Sequence, residues 1–171
     1  MQSIFLIGFM GTGKSIAGKK IAFHLGYQYI DLDTAIENKY NQKITAIFKS
    51  LGEEEFRKME AAMLREVAKE NTIISCGGGT PCFFDNMEFI NKNGISIYLK
   101  TNRTILISRL IHNKSKRPLL SDKSDNELIV FINNLLDKRE PFYNQATHIF
   151  QMDKKRLQDL VELINSHNKI I

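Results

Sequence analysis

The sequence predicts an α/β protein in three layers, with helices on both faces of a parallel sheet. Apolar runs of strand length recur at residues 3–7, 27–32, 72–76, 95–99 and 148–151, and stretches of helical period separate them. Parallel strands need crossover connections, and helical crossovers cover both faces of the sheet they join. A glycine-rich turn, GFMGTGKS, links the first strand to the first helix. With 171 residues the chain makes one domain, residues 1–171, that buries roughly 70% of its unfolded surface and needs no disulfide or metal staple.

Each element has a local reason. The first strand is an apolar run, as befits a central strand, and 16–25 continues from the glycine turn with helical spacing. The second strand ends in IDLD, and a helix follows Asp33. The stretch 53–70 carries its core stripe on Phe56, Met59, Met63 and Val67. The third strand runs into SCGGGTP, with Pro81 as the first residue of the helix that continues through 83–91. Strand 95–99 and helix 103–112 come next. Residues 112–125, HNKSKRPLLSDKSD, are polar, basic and broken by Pro118, the pattern of a long exposed loop between helices. A helix over 126–139 is stopped by Pro141, and strand 148–151 with helix 156–167 completes the chain. There is no internal repeat, linker or low-complexity segment.

Composition narrows the function classes. A 43% hydrophobic and 25% charged chain is ordinary for a soluble globular protein, and no apolar run approaches the ~20 residues that span a bilayer. No basic segment precedes the first apolar run, so no signal peptide is expected. Cys76 and Cys82 are the only cysteines, and with His24, His112, His148 and His167 scattered they do not match zinc spacing. Small buried thiols in a reducing cytoplasm are expected. The net charge of +5 fits an anionic ligand. The dense basic runs, KSKR and KKR, lack interleaved aromatics, so no nucleic-acid partner is expected.

GFMGTGKS fits G-x-x-x-x-G-K-[ST] and stands between an apolar strand and a helix, where that motif belongs. Glycines let the chain curl with its N–H groups inward, and a Cβ would block the approach of phosphate. Gly11, Thr12 and Gly13 form the curl, Lys14 reaches the β- and γ-phosphates, Ser15 ligates Mg²⁺, and the helix opened by Ile16 adds its dipole. A chance glycine turn is the bland alternative. A GTPase would need D-x-x-G and N-K-x-D elements; no aspartate here has glycine at its third following position, and Asn91-Lys92-Asn93-Gly94 lacks the acid. Small-molecule kinases remain.

Strand alternation puts Asp31 and Asp33 on one side of the second strand's carboxyl end, where open α/β sheets bind ligands. One carboxylate serves Mg²⁺ and the other faces a substrate hydroxyl as acceptor or base. The structural alternative is that Asp33 only caps the following helix. The third strand lacks a terminal acid, so Asp31 supplies that role with Ser75 nearby. Gly77, Gly78 and Gly79 expose N–H groups at the same rim. Glu53 and Glu60 flank Arg57 by one turn and can clamp it, although taken alone a solvated surface cluster is the simpler account of Arg57, and of Arg139 in KREPFY. Arg117, beside Pro118, is placed to close over phosphates.

Together GFMGTGKS, YIDLDTAIE, ITAIFKSLGEEEFRKME, ISCGGGTP, KRPLL and KREPFY resemble, nearly end to end and in order, the shikimate kinases, P-loop enzymes of the nucleoside monophosphate kinase structural family. The resemblance implies a five-stranded parallel sheet of order 2-3-1-4-5 and transfer of the ATP γ-phosphate to the 3-hydroxyl of shikimate, in aromatic amino acid biosynthesis. It implies Asp33 at the reacting hydroxyl, Arg57 and Arg139 on the substrate carboxylate, Gly78 and Gly79 lining the pocket, and Arg117 on a lid over 112–125. The catalytic set is Asp33, Lys14 and Arg117, and a helical region over about 33–60 binds substrate. Mg²⁺ would be held by Ser15 and Asp31, and Arg109 and His112 both lie near the place of the family's arginine that stacks on adenine. The family departs here at Leu32, where a small polar residue is usual. A monomer is expected. A gluconate kinase-like phosphotransferase is the alternative, and a nucleotide-binding module without turnover a distant third.

Overall fold

The computed structural model describes residues 2–114 and 124–168. Its sheet holds β1 (Ser3–Ile7), β2 (Gln28–Asp31), β3 (Thr72–Ser75), β4 (Gly94–Lys100) and β5 (His148–Gln151). All pairs are parallel and the order is β2-β3-β1-β4-β5, as the resemblance implied. Every residue of the central β1 is buried, and its side chains alternate between two cores. Ile4 and Leu6 join a core with Ile21, Leu160 and Ile164, and Phe5 and Ile7 join another with Leu32, Leu64, Ile132 and Tyr143. This strict alternation is what a strand covered on both faces requires.

The first core is covered by α1 (Lys14–Leu25) and the C-terminal helix (Leu157–Asn168). The other is covered by α2 (Leu32–Tyr40), α3 (Ile44–Val67), α4 (Asn86–Asn93), α5 (Arg103–His112) and α6 (Asp125–Tyr143); the C-terminal helix is then α7. Among the described residues no helix is long and apolar enough to cross a membrane.

Several boundaries differ from expectation, each for a local reason. β2 stops at Asp31 because that residue is the N-cap of α2, its carboxylate accepting from the Thr34 N–H at 3.3 Å. Asp33 therefore lies in the first turn of α2 and is not its cap. α3 begins well before residue 53 and is broken at Gly52 (φ 81°, ψ 175°), a conformation only glycine adopts readily. Pro81 opens no α-helix; it sits in a 3-10 turn, Thr80–Cys82, and α4 starts only at Asn86. α6 continues through Pro141 to Tyr143, because a proline in the last turn costs only one helical bond while its fixed φ suits the helix. At its other end Ser124 and Glu127 form a reciprocal capping box.

Candidate active site

The carboxyl ends of β1, β2 and β3 open onto a cleft of about 430 Å³ whose walls include Gly11, Lys14, Ser15, Asp31, Asp33 and Gly78. After Ile7 the chain curls through Gly11 (φ 83°) and Gly13 (φ 92°), both in the left-handed region, and Gly13 caps α1. Thr12 Oγ1 braces the curl by donating to the Phe9 carbonyl at 2.9 Å. Lys14 Nζ folds over it, donating to the Gly8 and Phe9 carbonyls at 2.8 Å each. The N-terminus of a twelve-residue helix thus faces the cleft beside an ammonium group, a ready site for polyphosphate.

Ser15 and Asp31 meet directly, the hydroxyl donating to Asp31 Oδ2 at 2.8 Å, and Tyr29 donates to the same oxygen at 3.3 Å. A hydroxyl and a carboxylate converging at a phosphate cradle fit Mg²⁺, which takes hard oxygens and draws most of its shell from phosphates and water. No cluster of three His, Cys, Asp or Glu side chains that could hold a metal ion forms among the described residues. The Ser75 hydroxyl is buried at the end of β3, close to Tyr29.

Asp33 projects from the first turn of α2 into the same cleft. Its side chain is open to the cleft yet crowded by protein, and this desolvation, reinforced by the charges of Glu60 and Asp31, pushes its pKa up to about 6; Lys14 and Arg57 pull the other way. A carboxyl poised near neutrality, beside a phosphate cradle, is suited to accept a proton from a hydroxyl. Burial pushes the neighbouring Cys76 thiol far up, so it is no nucleophile.

Arg57 is not a solvated surface residue. It is only 7% exposed, and its partner Glu60 is 1% exposed. Nε and Nη2 donate to Glu53 Oε1 at 3.2 and 2.9 Å, and Nη1 donates to Glu60 Oε2 at 2.9 Å. Thr80 Oγ1 holds the other Glu60 oxygen at 2.6 Å. Arg139 is half-buried, lies 5.7 Å from the Phe9 ring centre and makes no ion pair with a carboxylate among the described residues. The surface-cluster account therefore fails for Arg57, whose charge is enclosed by protein, while Arg139 is only partly covered. The turn after β3 brings them together. A Cβ at Gly79 would stand 2.7 Å from both Arg57 terminal nitrogens, and one at Gly78 would stand 3.2 Å from Arg139 Nη1. Only glycine lets the turn pass this close to both guanidinium groups, which lie against adjacent residues of one backbone segment. Tyr143, wholly buried, fixes this turn by donating to the Gly78 carbonyl.

On the far side of the cradle Arg109, Met152 and Leu157 line a mostly apolar groove of about 410 Å³ with Gly11, Thr12 and Ile16. Ile16 is 68% exposed there, an apolar surface that a flat base would cover. Arg117 lies outside the described residues. Of the residues around the site, Tyr143 and Thr80 were legible only as members of motifs, and Met152, just after β5, had no sequence signal.

The Shikimate kinase family model matches residues 10–167. A shikimate kinase of Azobacteroides pseudotrichonymphae is 48% identical over 164 residues, covering 95% of this chain and 96% of that protein. The crystal structure of shikimate kinase from Bacteroides thetaiotaomicron superposes with a TM-score of 0.90 at 42% identity and covers 98% of both chains. That of shikimate kinase from Acinetobacter baumannii in complex with shikimate gives 0.84 at 31%, covering 96% of this chain and 90% of that one. A gluconokinase from Sinorhizobium meliloti, at 20% identity, a TM-score of 0.60 and coverage of 94% and 87%, shares the fold alone. A phosphate cradle, a carboxyl with a raised pKa and two arginines at one glycine turn thus coincide with near full-length matches, and the chain belongs to the shikimate kinase family of ATP-dependent kinases that act on a hydroxyl group.

Proposed function

We propose that this protein transfers the γ-phosphate of ATP to the 3-hydroxyl of shikimate, giving shikimate 3-phosphate and ADP. The observation that carries the substrate is the meeting of Arg57 and Arg139 at the Gly78–Gly79 turn with Asp33 in the same cleft. An acceptor with one carboxylate and a hydroxyl suits that arrangement, and a neutral sugar does not. Gly11, Thr12, Gly13, Lys14, Ser15 and Ile16 hold the nucleotide phosphates and ribose side, and Arg109 with Ile16 holds the base. Lys14 stabilises charge on the transferring phosphoryl, and Asp33 accepts the hydroxyl proton. Mg²⁺, held by Ser15 and Asp31, would neutralise the phosphate charge. Arg117 on a lid over 112–125 keeps its place on sequence grounds alone. One chain carries every other named group, which supports a monomer of one domain as the working unit. The free thiols Cys76 and Cys82 support a reducing, cytoplasmic setting.

The test is ADP release with ATP and Mg²⁺ against shikimate, gluconate and nucleoside monophosphates in turn. Turnover is expected with shikimate only. Turnover with gluconate instead would replace the substrate assignment, and no acceptor-dependent release would leave a binding module.

A further inference from the structure

The guanidinium of Arg57 is enclosed by one short piece of chain. Gly79 passes its fork, Thr80 bonds Glu60, and three residues later Phe83 places its ring centre 4.1 Å from the guanidinium carbon. Phe56 and Phe48, from Arg57's own helix, stand at 5.1 and 5.8 Å. Of the five N–H donors, the three hydrogen bonds to Glu53 and Glu60 leave one on each terminal nitrogen with no acceptor among the described residues, and both of these nitrogens lie against Gly79.

The backbone bears a cost to keep this arrangement. Phe83 is extended, and the next residue, Phe84, takes φ 51°, a left-handed conformation unfavourable for a bulky side chain. Phe84 recovers nothing by burial, since it is 59% exposed. The sharp turn sends the chain outward directly after Phe83 and leaves the Phe83 ring over the arginine.

We propose that Phe83 is a positioning residue for anion recognition: its ring covers the Arg57 guanidinium, excludes water from it and fixes the plane in which the two remaining N–H donors meet the substrate carboxylate. An aromatic face suits this role because a guanidinium is weakly hydrated and stacks, while its edges keep their hydrogen bonds. The inference rests on the reading of Arg57 as a carboxylate-binding residue.

Steady-state kinetics at saturating ATP, with shikimate and its methyl ester, test it in Phe83→Leu, Phe83→Tyr, Phe84→Asn and Arg57→Ala. Phe83→Leu should raise the shikimate KM by about 3- to 10-fold with kcat within about twofold, because only binding is affected. Phe83→Tyr, which restores the aromatic face, should retain the parent KM, as should Phe84→Asn, since asparagine tolerates the left-handed turn. The KM of the ester should be the same in all Phe83 variants. Phe83→Met gives the same comparison as leucine should the leucine variant fold poorly. A parent-like shikimate KM in Phe83→Leu, an equal rise for the ester, or failure of tyrosine to rescue would overturn the proposal. If Arg57→Ala itself leaves the KM unchanged, the carboxylate reading of Arg57 falls instead; if it raises the KM while Phe83→Leu does not, only the role of Phe83 falls.

Discussion

Asp33 concentrates the chemistry of the cleft in one carboxyl. It titrates near 6 against an ordinary 3.8, so the folded chain holds that proton more tightly than the unfolded one. The stability this contributes is complete below the ordinary value and lost as pH rises through about 6. Two outcomes follow for Asp33→Asn. The Tm of the variant should equal or exceed that of the parent at about pH 8, with the gap closing below about pH 4, because only the ionised form is disfavoured. Its kcat should fall by about 10²- to 10⁴-fold, the usual weight of a positioned base. In the parent, kcat/KM should decline as pH drops through about 6, as the free enzyme's base is protonated. A variant that melts early at pH 8 yet turns over normally would make Asp33 a structural residue only. Asp31 is the residue with a capping task, and its replacement should cost the helix start as well as the proposed Mg²⁺ contact.

At the scale of elements, α3, the helix that carries Arg57, is not a continuous rod. Gly52 breaks it with φ 81° and ψ 175°, immediately before the Glu53 that clamps Arg57. Nothing lies within 4 Å of the position a Cβ would take there, so the penalty for a side chain is in the backbone alone. Gly52→Ala should therefore destabilise the fold by about 1–3 kcal/mol in urea titrations. It should also raise the shikimate KM more than the ATP KM, because the second half of the helix re-aims Glu53 and Arg57. Unchanged stability and KM would mean the helix accepts the straight path. The period of Phe56, Met59, Met63 and Val67 made the second half of α3 readable, while its start at Ile44 was hidden by the break.

Across the whole molecule, two helices distant in sequence meet the glycine turn, Arg57 from α3 at Gly79 and Arg139 from α6 at Gly78. If both hold one carboxylate in a partly desolvated pocket, removal of either should cost about 2–4 kcal/mol, or thirty- to a thousand-fold in kcat/KM for shikimate. The double variant should lose less than the sum, since both act on one anion. Methyl shikimate should be a poor substrate and discriminate little among the variants. Strict additivity, or single variants as active as the parent, would return the arginines to a structural role.

The sequence by itself determined the layers, the strands of the sheet and the phosphate cradle with Lys14 and Ser15. These are local properties: strand and helix periods are written in neighbouring residues, and a phosphate site is made of consecutive N–H groups in one turn and one helix end. Only the tertiary structure decided that Arg57 is buried, that Asp31 and not Asp33 caps α2, and that α6 carries on through Pro141. It alone brought Thr80 to Glu60, Tyr143 to Gly78 and Phe83 to Arg57. The surroundings of a charged side chain come from segments distant in sequence, and whether a charge meets water or protein is settled only when those segments pack.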